Sequence, residues 1–358
     1  MSELIRTPVR IALAGSVSST RATLESLIAH QAELVGVLEL DQGCASGVSG
    51  YAPLGDLAKE AGVPCLSFEN INRPDVVDAV RNWAPDLLFV VGLSQLVKTE
   101  LLEIPRLGCV GFHPTWLPRG RGRAPLAWLT HDGEPGAATL FLMDEGADSG
   151  PILMQEPFPV GEDDYASDVE QSILDALRRG LDRWLPQLRR GEWSPVEQDH
   201  TQATYLGRRS PEDGLIDWQQ SAEQIARLIR VSSRTHAGAY TYVDGHKLTI
   251  WRAHVERQLP MRGVIGRILT ADEKGIVVQT GDGLLRIEEG EYAVSAAWNG
   301  RRPSLRVGRK LGVAVEDELV QLRNTIDTLQ QELVEMRQEI SQLRAHSGTP
   351  IEEVKRCA

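Results

Sequence analysis

The hydrophobic pattern divides the chain into three stretches of different period. In the first, short apolar runs alternate with amphipathic segments. Residues 9–14 (Val-Arg-Ile-Ala-Leu-Ala) close at Gly15 and Ser16, which predicts a buried parallel strand. Residues 18–31 place Leu24, Leu27 and Ile28 at helical spacing. Strand is then expected at 32–40, helix at 54–61, a short strand at 64–67, helix at 74–83 and a strongly buried strand at 86–91. Strands alternating with helices predict an α/β fold with a doubly wound, mostly parallel sheet. Ligands of such sheets bind beyond the carboxyl ends of the strands.

From about 236 the period shortens. Strands are expected at 238–243, 247–252, 263–269, 275–279 and 284–287, with turns at Asp244-Gly245 and 281–283, after a helix at 221–231. This pattern predicts a small OB-like β-barrel. The third stretch is a heptad repeat. Leu319, Ile326, Leu333 and Ile340 take the a positions, and Leu322, Leu329, Met336 and Leu343 take d. A parallel pair would set Glu318 against Arg323, Glu332 against Arg337 and Glu339 against Arg344, all attractive. A homo-oligomeric coiled coil over 315–343 is therefore expected, a dimer ahead of a trimer. The alternative is a helix lying on its own domain. The expected units are 1–200, a β module at 201–312, the coil at 313–345 and a flexible tail at 346–358.

The 358 residues suffice for two or three domains, and the net charge of -12 argues against a broad nucleic-acid-binding face. A local basic pocket stays possible. Cys44, Cys65, Cys109 and Cys357 are scattered, as reduced thiols of a cytoplasmic protein would be. No cluster with metal-ligand spacing occurs, and no apolar run is long enough for a membrane span. No Gly-x-Gly-x-x-Gly follows the first strand, which disfavours dinucleotide chemistry.

The candidate chemistry lies in 108–152. His113 ends a short apolar run, at the ligand-binding end of a strand, and the prolines and glycines after it preset its surroundings. Asp148 stands in a Gly-x-Asp-Ser-Gly turn. If the two meet they can share a proton, the carboxylate raising the imidazole's pKa. Taken alone, each residue also suits a plain turn. Arg119, Arg121 and Arg123 crowd the same loop; guanidinium groups suit phosphates and carboxylates, and a solvated basic loop is the alternative. Trp116 is either packing or a platform for a base or sugar.

His113-Pro-Thr-Trp-Leu-Pro118 together with Asp148-Ser-Gly-Pro-Ile152 resembles the folate-dependent N-formyltransferase family, over about residues 9–295. Arg208-Arg-Ser-Pro-Glu-Asp-Gly-Leu-Ile-Asp-Trp218, Ile229-Arg230 and Gly238-Ala-Tyr-Thr-Tyr242 resemble the C-terminal domain of its tRNA and sugar branches. The resemblance implies transfer of a formyl group from 10-formyltetrahydrofolate to a primary amine. It assigns His113 and Asp148 to deprotonating the amine and supporting charge on the tetrahedral intermediate. The family's Asn, two residues before the His, is Gly111 here. Loss of one oxyanion donor costs roughly 2.7–4 kcal/mol elsewhere, so protonated His113, a backbone N–H or water would have to substitute. Glycine would also leave room for a different substrate.

The resemblance further implies a pterin pocket at Gly92, Leu93, Ser94, Gln95 and Leu96, faced by the loop 142–148 with Leu142, Asp144 and Gly146. Pro114, Thr115 and the three arginines would face the acceptor. The expected acceptor is an amino sugar linked to a nucleotide. Methionyl-tRNA and a small amino acid or metabolite amine are the alternatives. The net charge speaks against tRNA, unless Arg208, Arg209, Arg227, Arg230, Arg234, Arg301, Arg302, Arg306 and Arg309 group in space. A different class stays open: a folate- or amine-binding descendant without chemistry, working through its coil.

Overall fold

Seven strands form the first sheet of the computed structural model, which describes residues 3–4, 8–292, 305–313 and 315–347. They are β1 (Arg10–Gly15), β2 (Glu33–Leu40), β3 (Cys65–Phe68), β4 (Leu87–Val90), β5 (Cys109–His113), β6 (Gly136–Leu142) and β7 (Ile152–Phe158). Their order is β3-β2-β1-β4-β5-β6-β7. The first five are parallel, β6 runs antiparallel to β5, and the edge strand β7, antiparallel to β6, runs in the direction of the first five. The chain leaves β1 toward one side of the sheet and later returns to add β4 on the other. That reversal opens a crevice at the carboxyl ends of β1 and β4.

β1 and β4 read as continuous apolar runs because helices cover both faces of the sheet. On one face α1 (Ser18–Ala29) and the long α6 (Ala166–Arg189) pack Leu24, Leu27, Ile173, Leu177 and Leu181 against Leu13, Phe89 and Leu140. The other core holds Leu88, Val90, Val76 and Val80, the last two from α3 (Pro74–Trp83). Each such side chain contributes roughly 1.5–3 kcal/mol by leaving water. The short α2 (Gly55–Glu60), α4 (Thr99–Leu102) and α5 (Pro125–Asp132) complete this part.

A second, separate core spans Ile216 to Leu311. Here α7 (Ala222–Val231) packs Ile225 and Ile229 on a sheet of β8 (Ala239–Val243), β9 (His246–Glu256), β10 (Ile268–Asp272), β11 (Gly275–Gln279) and β12 (Leu284–Tyr292). A capping box starts α7: Gln224 N–H donates to Ser221 Oγ (3.2 Å) and Ser221 N–H donates to Gln224 Oε1 (3.0 Å), an arrangement worth about 1 kcal/mol. The strands run antiparallel in the order β8-β9-β12-β11-β10. The two end strands are bridged by the segment 308–312: Gly312 N–H donates to the Tyr242 carbonyl of β8 (2.9 Å), while Ile268 N–H of β10 donates to the Arg309 carbonyl (2.8 Å) and Gly308 N–H to the Ile268 carbonyl (2.8 Å). The strand anticipated at 263–269 begins only at Ile268, because Gly263 and Gly266 belong to the turn before it.

The helix α8 (Val315–Ser347) is continuous, as the heptads predict. Its seam is solvated, with Leu319, Leu322, Ile326, Leu329, Leu333, Met336, Ile340 and Leu343 between 46% and 70% exposed. The alternative of a helix lying on its own domain is thus not what is seen. Of the expected tail, 348–358 with Cys357 lies outside the described residues, as do Arg301 and Arg302. No described helix is long and apolar enough to cross a membrane.

Candidate active site

A cleft of about 520 Å³ opens at the carboxyl ends of β1, β4 and β5. His113, the last residue of β5, stands in its wall with Gly111 and Asp148. Its backbone is fixed by pairing with Thr139 on β6. The loop after it is fixed by hydrogen bonds: Thr139 Oγ1 donates to the Thr115 carbonyl (2.7 Å) and Gln155 Nε2 to the Leu117 carbonyl (3.0 Å).

The imidazole is buried, 5% exposed. Nε2 lies 2.7 Å from the Gly120 carbonyl, and Nδ1 lies 3.6 Å from Asp148 Oδ2. A carbonyl only accepts, so the proton of the neutral ring belongs on Nε2. Nδ1 then presents its lone pair beside a carboxylate. Burial pulls the imidazole's pKa below its ordinary 6.5, while Asp148 and the Gly120 carbonyl oppose that shift. The carboxylate's pull is present, as expected, but desolvation outweighs it. At neutral pH the ring is therefore neutral, and a proton arriving at Nδ1 meets Asp148.

Asp148 is held unusually. Its φ is +53°, a region unfavourable for a side-chain-bearing residue. Gly122 N–H donates to its Oδ2 (2.8 Å), and Gln198 Nε2 donates to the carbonyls of Asp148 (2.9 Å) and Gly150 (2.7 Å). Gln198 Oε1 in turn accepts from Arg121 Nη2 (2.6 Å) and Nε (3.2 Å). Arg121, only 2% exposed, also lies 3.1 Å from His200 Nδ1 and donates to Tyr205 Oη (3.3 Å). Its expected role in holding a phosphate is overturned, because its donors face inward and are occupied. The segment that carries Gln198 and Tyr205 also straps the loop after His113: Arg121–Gly122 pair in parallel with Tyr205–Leu206.

Gly111 supplies a second correction. A Cβ there would stand 2.6 Å from Phe141 Cζ and 3.1 Å from Met143 Cγ. The space expected for a different substrate is already filled by the Phe141 ring.

The remaining anticipated residues divide. Gly92, Leu93, Ser94 and Gln95 line the cleft, and Gly92 has φ +63° with Val17 packed where a side chain would go. Gln95 and Leu96 on one wall, and Asp144 and Gly146 on the other, enclose an adjoining cavity of about 610 Å³. Met143, Phe141 and Asp148 border both cavities. Asp144 also braces its own loop, accepting from Gly146 N–H and Ser149 Oγ. Leu142, by contrast, packs on the core of the sheet. Pro114 and Arg123 line the cleft; Arg119 and Trp116 are exposed outside its lining. Thr115 is buried and donates to the Arg119 carbonyl (2.9 Å), so it shapes the loop. Sequence reasoning missed Gln198, Tyr205, Phe141, Thr235 and His236. Gln198 acts across 50 residues with no local motif, whereas His236, just before Gly238 and β8, could have been flagged as a polar residue entering the second module.

Residues 17–185 match the family model described as formyl transferase, and 208–302 match formyl transferase, C-terminal domain. The chain is 33% identical over 286 residues to the methionyl-tRNA formyltransferase of Syntrophomonas wolfei, covering 78% of this chain and 90% of that protein. Its fold is similar to WlaRD, a sugar 3N-formyl transferase solved with dTDP and 5-N-formyl-THF (TM-score 0.57, 16% identity, 78% and 97% coverage). It is also similar to HypX from Aquifex aeolicus in complex with tetrahydrofolic acid (TM-score 0.57, 19% identity, 77% and 43% coverage).

Proposed function

The chain belongs to the formyl transferase family, whose members are enzymes that transfer formyl groups, and we propose that it moves a formyl group from 10-formyltetrahydrofolate to the amine of a nucleotide-linked amino sugar. The observation that carries this reading is the pairing of the buried His113 imidazole with the half-buried Asp148 carboxylate in the wall of the crevice. The folate, when bound, supplies an activated formyl carbon. The cavity between 95–102 and 141–148 suits its pterin, having a largely apolar wall at Leu96, Val97, Phe141 and Met143.

In this reading the residues of the chain manage one proton. His113 accepts it from the attacking amine at Nδ1, because Nε2 is committed to the Gly120 carbonyl. Asp148 stabilises the imidazolium that results. Gly122 N–H and Gln198 keep Asp148 aimed at the ring. Two copies of α8 pair in parallel through the apolar seam, with Glu332 of one facing Arg337 of the other.

One observation favours a second acceptor, methionyl-tRNA: the 33% identical relative bears that name. The test is to incubate the protein with 10-formyltetrahydrofolate and a panel of nucleotide-linked amino sugars, methionyl-tRNA and ornithine-like amino acids, with detection by mass spectrometry. A formylated sugar nucleotide, absent with His113→Ala, supports the main reading. Formylation of methionyl-tRNA alone would replace it.

A further inference from the structure

The stretch 186–207 joins the two family domains and belongs to neither. Its second half lies against the loop after His113. Thr204 Oγ1 accepts from Gly120 N–H (2.9 Å), the Thr204 carbonyl from Arg121 N–H (2.9 Å) and the Leu206 carbonyl from Arg123 N–H (3.1 Å). The Gly207 carbonyl accepts from Trp128 Nε1 (2.9 Å). The approach is close: a Cβ on Gly122 would stand 2.6 Å from the Leu206 carbonyl oxygen, so only glycine fits there.

Three consecutive residues of that loop hold the proton-transfer pair. The Gly120 carbonyl meets His113 Nε2, and Gly122 N–H donates to Asp148 Oδ2. Between them the Arg121 side chain grips Gln198, which donates to the Asp148 carbonyl. The spacing of His113 and Asp148 is thus set by 120–122, and 120–122 is held in place by the linker. Arg121 sharpens the point. It is buried, yet its partners Gln198, His200 and Tyr205 carry no negative charge, and it is in no ion pair among the described residues. A buried cation without a carboxylate is costly, and an apolar side chain would pack there at less cost. What the guanidinium does is tie loop to linker, since all three of its side-chain partners are linker residues.

We propose that the linker residues Gln198, Thr204 and Tyr205, acting with Arg121, are positioning residues that fix the distance between His113 and Asp148. This rests on the reading of that pair as the proton-handling groups. None of the four touches the reacting atoms. A carboxylate raises a neighbouring imidazole's pKa the more, the closer it lies. Among the described residues Asp148 is the charged group within ion-pair distance of the ring. A loosened linker therefore lets Asp148 drift and lowers the His113 pKa. A misplacement of about 1 Å in such a site costs about 100-fold in rate. The connection to the second module is in this sense part of the catalytic geometry.

Arg121→Met leaves the buried Gln198 Oε1 unpaired and so mixes positioning with stability. Thr204→Val/Tyr205→Phe avoids this, because both side chains are exposed and both changes nearly keep the shape. In the full chain this double variant should lose about tenfold in kcat and keep KM for folate and amine within about twofold. The acid limb of its kcat profile should move to lower pH. Thr204→Ser, which keeps the hydroxyl, should match the wild type. Arg123, Glu170 and His236 line the same cleft and are unchanged in every variant. NMR titration of histidine-labelled protein, with His113→Ala to assign the signal, reads the same geometry without turnover: the His113 pKa should fall in the double variant, as it does in Asp148→Asn. A His113 pKa that stays in place, or a rise in KM with kcat unchanged, overturns the proposal. A lowered urea midpoint with the His113 pKa unmoved makes the linker a structural brace only, and overturns it too. A His113 pKa that falls in a protein that formylates no amine upholds the positioning role and sinks the formyl-transfer reading.

Discussion

The two walls of the catalytic cleft are built on opposite plans. On the β5 wall nearly every polar atom is spoken for: His113 Nε2 by Gly120, Asp148 Oδ2 by Gly122, and Gln198 by two carbonyls and Arg121. On the facing wall, from the second module, Thr235 Oγ1 and His236 Nε2 have no partner among the described residues. A satisfied network holds one geometry against thermal motion; an unsatisfied one waits for a ligand. The contrast teaches that a preset geometry and an unsatisfied polar surface can face each other across one cleft, the first from the first module and the second from the other.

The sharpest way to break that contrast is at its fixed side. His113→Ala should lower kcat/KM by roughly 10²–10⁴-fold, the usual share of a general base, read as formylated product per time. Asp148→Asn should cost less, about tenfold to a hundredfold, and should also move the pH profile. A base must be unprotonated, so the rate falls as pH drops through the pKa of His113, which burial places below 6.5. Asp148 raises that pKa, so its removal should shift the acid limb to still lower pH. A limb that stays in place would break the pairing assigned to these residues.

Gln198→Leu tests the support behind them. It strands the buried Arg121 guanidinium and two carbonyls, and should lower stability by about 3 kcal/mol, seen in urea unfolding. Gly111→Asn should lower stability by about 1–3 kcal/mol through overpacking against Phe141, with partial recovery in Gly111→Asn/Phe141→Leu. Smallest in its effect on turnover is Leu329→Lys. It should abolish self-association of α8 in sedimentation while leaving kcat/KM within about twofold.

Much of this was legible from sequence where a signal is local. β1, β2 and β4 announce themselves as apolar runs, α7 by its period and cap, and α8 by its heptads. His113 and Asp148 were legible as turn-bound polar residues at a strand end, and the family resemblance joined them. What was hidden is what depends on distance. The inward turn of Arg121 depends on Gln198 and Tyr205, which a sequence window around residue 121 does not contain. The net direction of the imidazole's pKa depends on how much protein surrounds it. The filled space at Gly111 depends on Phe141, on a neighbouring antiparallel strand. The bridging of the second module's end strands by 308–312 joins residues far apart in the chain, which short apolar runs do not encode.

The long final helix has a geometric consequence. At 1.5 Å per residue, its 33 residues extend about 50 Å. Two such rods in parallel would hold both catalytic bodies at one end, like two lamps on a single post. Product released by one cleft would emerge close to the other, and the far end of the post would be left as a handle by which the pair can be stationed.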